Sequence, residues 1–141
     1  MIISVIGANG FIGLRLVKEL VSPGNQVRVL SRKYFYPITG VEVFAADLTD
    51  INFNIEGFLD NADILYNCSG EVNDESLMHQ LNYEASLKLL SSAINSRVKR
   101  RVQLSSVGAY GFVQKDVVNE SWDECPVNLY EKTKSDFDVR L

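Results

Sequence analysis

Tyr130 and Lys134 stand four residues apart in "LYEKTK" (129–134). On a helix that spacing puts both side chains on one face. A neighbouring ammonium favours a phenolate, so the pair suits general acid/base chemistry. Of the six tyrosines, Tyr130 alone has a lysine four positions on. Ser106, in "LSSVGAYG" (104–111), ends an apolar run and can hydrogen-bond the same substrate oxygen. Such pairs also occur on solvated helix surfaces, so the motif needs a frame that gives it something to act on.

A second stretch, "GANGFIG" (7–13), follows the apolar run "MIISVI" and places Gly7, Gly10 and Gly13 at three-residue spacing. A tight turn from strand to helix needs positions without a Cβ. The helix start then offers unpaired N–H groups and a positive dipole end to an anion. Gly7 is expected to make the turn, Gly10 to allow close approach of a pyrophosphate, and Gly13 to pack helix on strand. Asn9, Phe11 and Ile12 fall within the same turn and are candidate cofactor contacts.

These motifs sit in an alternating pattern. Strands are predicted at "MIISVIG", "QVRVLS" (26–31), "VEVFAA" (41–46), "ADILYNCSG" (62–70) and "RVQLSS" (101–106). Helices are predicted at 11–21, with Phe11, Leu14, Val17 and Val21 on one face, and at 75–96, with Leu77, Leu81, Leu87, Leu90 and Ile94 along one side. "NIEGFLDN" is a short helix at best, and helical pattern returns from about Asn128. Alternation of this kind predicts an α/β fold of three layers, a doubly wound parallel sheet covered on both faces. Ligands bind such sheets beyond the carboxyl ends of the strands, where every motif above lies.

The end of the second strand often distinguishes the cofactor. An acid there would hold a ribose 2′-hydroxyl, but this chain has Ser31, Arg32 and Lys33. Arg32 can bond a 2′-phosphate and stack on adenine. NADP(H) is therefore favoured over NAD(H). Asp47 and Leu48, in "ADL" (46–48), are placed to accept from the adenine amino group and to lie against its ring.

The whole set resembles the extended short-chain dehydrogenase/reductase family, in its NAD(P)-dependent epimerase/dehydratase branch. GANGFIG, ADL, "NYEASLKLL" (82–90), SSVGAYG and YEKTK fall in that family's order across nearly the whole chain. The resemblance implies a Rossmann-type sheet of order 3-2-1-4-5, stopping before the sixth strand. It implies catalytic Ser106, Tyr130 and Lys134, with Lys134 also holding the nicotinamide ribose, and it selects Ser106 over Ser105. Asn82 matches the asparagine of the fourth helix, a structural or relay residue. "YNCSG" (66–70) departs from the family at Asn67 and Cys68, while the small Ser69 and Gly70 keep room for cofactor beside Cys68.

Val107 and Gly108 stand where the family's 4,6-dehydratases carry an Asp-Glu pair, which argues against dehydration. Leu129 replaces a frequent proline after Pro126. The implied activity is hydride transfer on the carbinol of a nucleotide-linked sugar, by an epimerase or a reductase. Two alternatives are a noncatalytic NADP-binding sensor or scaffold, and a reductase of a small non-sugar carbonyl compound.

Enzymes of this branch run to about twice this length, so residues 1–141 are expected to be the cofactor domain of a longer enzyme whose substrate domain is absent. Weak or no turnover is expected of the chain alone, and an apolar edge could support a homodimer. Composition narrows the partners further. The 141 residues are 46% apolar and 23% charged, with net charge −4. That charge argues against nucleic acid and anionic membranes. No apolar run approaches a membrane span, and no leader is evident, so a cytoplasmic protein is expected. Cys68 and Cys125 lack metal-ligand spacing and His79 stands alone, so no metal site is expected.

Overall fold

The computed structural model describes residues 1–33, 35, 37–112 and 117–138. Five strands form one parallel sheet in the order β3-β2-β1-β4-β5. They are β1 (Ile2–Ile6), β2 (Gln26–Ser31), β3 (Val41–Ala45), β4 (Ile64–Asn67) and β5 (Arg100–Gln103). The helices are α1 (Phe11–Leu20), α2 (Ile55–Leu59), α3 (Glu75–Met78), α4 (Ser86–Ile94) and α5 (Leu129–Asp138). A π-helical segment, His79–Ala85, joins α3 to α4, and a 3₁₀ turn, Val107–Tyr110, follows β5.

The two faces of the sheet follow from alternation along the strands. Ile3, Val5, Val27 and Val29 pack with Val17 of α1 on one side. Ile6, Leu30 and Leu65 pack with Phe58, Leu59, Leu89 and Ala93 on the other. Phe44 meets Phe58 edge-on, with ring centroids 5.2 Å apart. Ser4 is wholly buried, and its hydroxyl donates to the carbonyl of Phe58 at 3.0 Å, which satisfies the one polar side chain at the centre of β1. β1 pairs on both sides, with β2 and β4 in register from Ile3 to Ile6. Its carboxyl end therefore opens at the middle of the sheet, where the strand order reverses.

Three local expectations are corrected. The single helix expected over 75–96 is interrupted by the π segment. The interruption shifts the buried stripe to Met78, Asn82, Ala85, Ser86, Leu89 and Ala93, and leaves Leu77 and Ile94 exposed. Phe11 is also exposed rather than packed on the sheet: Arg15 lies over its ring, 4.8 Å from the centroid. The outer strands β3 and β5 are more open than the continuous burial expected of a covered sheet, because each pairs on one side only.

Candidate active site

The turn after β1 is built by backbone crowding. Gly7 has φ +76°, and a Cβ there would lie 2.5 Å from the carbonyl carbon and oxygen of Cys68 at the end of β4. A Cβ on Gly13 would lie 2.2 Å from the Gly7 carbonyl oxygen. These two glycines let strand, helix and the neighbouring strand end close on one another. Gly10 is exposed and plays the third part: it precedes α1, and its amide donates to the Gly7 carbonyl at 3.0 Å. No side chain caps α1, and its first turn carries no acid. The N–H groups of that turn thus face the cleft with a positive dipole end. The uncapped amides suit a pyrophosphate, and a side chain at Gly7 or Gly13 would push apart the backbones that shape the turn.

The cleft beyond the strand ends is about 320 Å³. Gly7, Asn9 and Gly10 form one wall, and Ser31 and Arg32 with Asp47 and Leu48 form the next. Cys68, Ser69 and Gly70 close the third. The structure thus gathers ten of the expected cofactor residues around one opening. Asn9 donates from its side-chain amide to the Ser31 hydroxyl at 2.6 Å, and Ser31 donates onward to the Lys33 carbonyl at 2.7 Å. Asp47 pairs with Arg32 at 3.6 Å and accepts from the amide and hydroxyl of Thr49. Partial burial works against its charge, but the Thr49 bonds and the Arg32 guanidinium outweigh it and hold the carboxyl below its usual range. Leu48 is buried in the core and forms the floor.

Phe11, Ile12 and Gly13 do not line this cleft. The first two expose their side chains on α1, which leaves only their backbone amides toward an anion. Asn82 is fully buried away from the opening. Its amide accepts from the Glu71 N–H at 2.8 Å and donates to the Glu71 carbonyl at 3.0 Å and the Thr133 hydroxyl at 3.1 Å. It ties the loop after β4 to α5, and so reaches the cleft only through its neighbours.

Lys134 joins the second half of the site to the first. It is 2% exposed, and its ammonium donates to the carbonyls of Ser69 at 3.0 Å and Leu104 at 3.2 Å. Burial lowers its affinity for a proton, and the opposing charges of Asp138 and Cys68 offset part of that. Burial likewise raises the Cys68 thiol, with the Lys134 charge offsetting part of that rise. Tyr130 stands one turn before Lys134 on α5 and is partly buried. Ser106 starts the 3₁₀ turn and accepts from the Gly108 amide at 3.1 Å. Ser105 instead donates to Asp138, away from the cleft wall. That turn docks on α5, since a Cβ on Gly108 would lie 2.7 Å from Cγ of Glu131.

Sequence reasoning missed the apolar lining from Ile6, Ala8, Leu30 and Ala46, and two further contributors. Asn67 holds Ser69 through its side-chain oxygen, at 3.1 Å to the amide and 2.6 Å to the hydroxyl, and donates to Ser86 at 3.2 Å. Leu81 enters the cleft lining from the π segment. Leu81 carries no local signal, because its place depends on how the π segment packs, whereas the Asn67–Ser69 bonds close a turn of two residues. Among the described residues no group of three or more His, Cys, Asp or Glu side chains is placed to hold a metal ion, and no helix is long and apolar enough to cross a membrane.

Comparison with known proteins agrees with this geometry. The chain is 31% identical to sterol demethylase protein B of Methylococcus capsulatus over 97% of its own length and 45% of that protein's. It is 30% identical to a UDP-glucose 4-epimerase of Lactobacillus helveticus over 95% of its length and 44% of the relative's. The chain therefore spans less than half the length of these curated relatives. A short-chain dehydrogenase/reductase superfamily protein of Agrobacterium tumefaciens, solved with bound NAD, superposes with a TM-score of 0.84 at 26% identity, over 95% of this chain and 42% of that one. The model of the NAD dependent epimerase/dehydratase family matches residues 3–138. With that match spanning the glycine turn, the cleft and Tyr130 with Lys134, the chain belongs to the NAD-dependent epimerase/dehydratase family.

Proposed function

We propose that residues 1–141 are the cofactor-binding portion of a longer NADP(H)-linked oxidoreductase or epimerase that acts on a nucleotide-linked sugar. The observation that carries this reading is Lys134. Its ammonium bridges the Ser69 and Leu104 carbonyls beyond the ends of β4 and β5, and Tyr130 stands one turn before it on α5. The bound dinucleotide supplies the hydride acceptor or donor. The first turn of α1 would hold the pyrophosphate, with Phe11 and Ile12 contributing backbone amides. Tyr130 moves the proton of the substrate hydroxyl through its phenolic oxygen. Lys134 would stabilise the charge left on that oxygen and, with the dinucleotide bound, would also hold its ribose. Ser106 donates to the substrate oxygen as charge develops there.

The preference for NADP(H) rests on Arg32, 53% exposed at its side chain and open to a 2′-phosphate, with Lys33 beside it. Arg32→Ala is expected to weaken NADPH binding by about 1–3 kcal/mol, the scale of a lost charge-assisted bond, and to leave NADH nearly unchanged. Equal loss for both would remove the basis of the preference. Fluorescence titration of the chain with each cofactor makes the comparison.

A non-sugar carbonyl substrate is the second reading. Val107 follows Ser106 directly and is 91% exposed, an apolar surface at the edge of the site. The Methylococcus relative also bears a name unconnected with sugars. Steady-state assays of a longer form with nucleotide sugars and with apolar ketones separate the two. In whichever assay turns over, Tyr130→Phe is expected to cut the rate at least about 100-fold, as for loss of a positioned general acid. Retained activity would overturn the mechanism.

A further inference from the structure

We propose that Asp47 is a built-in competitor for Arg32, and that this ion pair limits how strongly the cleft prefers NADP(H) over NAD(H). The proposal rests on the reading of Arg32 as the 2′-phosphate ligand.

The geometry divides the carboxylate into two unequal halves. Oδ1 accepts from the Thr49 amide at 2.9 Å and from its hydroxyl at 2.8 Å. Oδ2 faces the Arg32 guanidinium at 3.6 Å. Asp47 is thus anchored by its neighbour two residues on, and Arg32 is the movable partner. The separation exceeds a hydrogen bond, and the two side chains are 53% and 36% exposed. A pair of that kind contributes little by itself and is exchanged at small cost.

The two cofactors meet the pair differently. A ribose 2′-hydroxyl carries no charge and leaves Arg32 with Asp47. A 2′-phosphate takes the guanidinium and then lies beside a carboxylate that cannot turn away, which repels it. Ser31 does not relieve this, because its one proton is committed to the Lys33 carbonyl at 2.7 Å. Discrimination at this corner is the attraction of Arg32 and Lys33 less the opposition of Asp47.

The test is the ratio of NADH to NADPH dissociation constants, by fluorescence titration of the 141-residue chain. Contacts to adenine, pyrophosphate and nicotinamide are common to both cofactors and cancel in that ratio. Asp47→Asn is the informative variant, since its retained side-chain oxygen can still accept from Thr49. It is expected to raise the ratio about 3- to 10-fold at low salt, the scale of one partly exposed charge removed near an anion, with a smaller gain at high salt. In an Arg32→Gln background the same change should add less than half of that gain. If Asp47→Asn leaves the ratio unchanged or lowers it while Arg32→Gln lowers it, the competition is wrong and the 2′-phosphate reading stands. If Arg32→Gln leaves the ratio unchanged, both fall. Failure of the folded chain, checked by circular dichroism, to bind either dinucleotide also counts against both.

Discussion

The two ends of the cleft are built by opposite means. Beside β1, the turn through Gly7, Gly10 and Gly13 is made of backbone, and its shape depends on what is missing. Beside β5, the wall is made of side chains: Lys134 reaches two carbonyls, Asn82 reaches Glu71 and Thr133, and Ser106 caps a turn. The first end contacts elements that all lie within the first 70 residues. The second joins groups up to 65 residues apart, as in the Lys134–Ser69 bond. A backbone cradle tolerates no added atom but needs no side chain held in place. A side-chain wall tolerates small changes of shape but fails when one donor or acceptor is lost.

The largest effect should come from adding a single methyl group to the cradle. Gly13→Ala puts a Cβ where 2.2 Å separates it from the Gly7 carbonyl oxygen. It is expected to lower the free energy of unfolding by about 3 kcal/mol or more, at or above the upper end of the usual cost of overpacking, because the clash is with backbone. Urea melts followed by circular dichroism check this. A loss below about 1 kcal/mol would mean that the turn relaxes, and the contrast with the other wall would collapse.

Asn82→Ala probes the second end. It removes three hydrogen bonds from a fully buried amide and leaves partners behind. About 2–3 kcal/mol of stability should go with it, together with weaker dinucleotide binding as the loop at Ser69 and Gly70 loosens. Unchanged cofactor affinity would show that the tie between the loop and α5 matters to folding only.

A pH effect follows from Asp138. Burial raises its carboxyl above the ordinary value of 3.8. The Ser105 hydroxyl and Lys134 oppose that rise, and Glu124 adds to it. Its Oδ1 is buried without a hydrogen-bond partner among the described residues. The folded chain keeps this proton to higher pH than the unfolded one. Stability from this group is therefore complete below pH 3.8 and is lost as pH rises through the folded value. Asp138→Asn should flatten that segment of the stability profile. An identical slope in wild type and variant would remove Asp138 as its source.

The smallest change in stability is expected for Tyr130→Phe, within about 0.5 kcal/mol, as for a surface substitution away from caps and core. NADPH affinity should also hold, because the role proposed for the phenol is on substrate rather than cofactor. A large loss of either would make Tyr130 part of the wall rather than of the chemistry.

Much of this molecule was legible in the chain itself. The strands around Val5, Val29 and Leu65 announce themselves by apolar runs, and the alternation with helices implies a parallel sheet. Gly10 and Gly13 declare a turn because their crowding comes from the Gly7 carbonyl a few residues away, whereas the crowding at Gly7 comes from Cys68 on another strand. The long helix over 75–96 was misjudged for the complementary reason. A π segment opens where Asn82 reaches Glu71 and Thr133, and no i-to-i+4 pattern encodes a bond across 51 residues.

Sequence by itself determined the element order, the glycine cradle and the presence of Ser106, Tyr130 and Lys134, since each rests on spacing along a few turns of chain. Tertiary structure alone decided that Lys134 is buried between two strand ends, that Leu81 enters the cleft, and that Asp47 pairs with Arg32. Those facts depend on pairing groups from separate elements. Such pairing is set by how the layers pack, and no local run of residues records it.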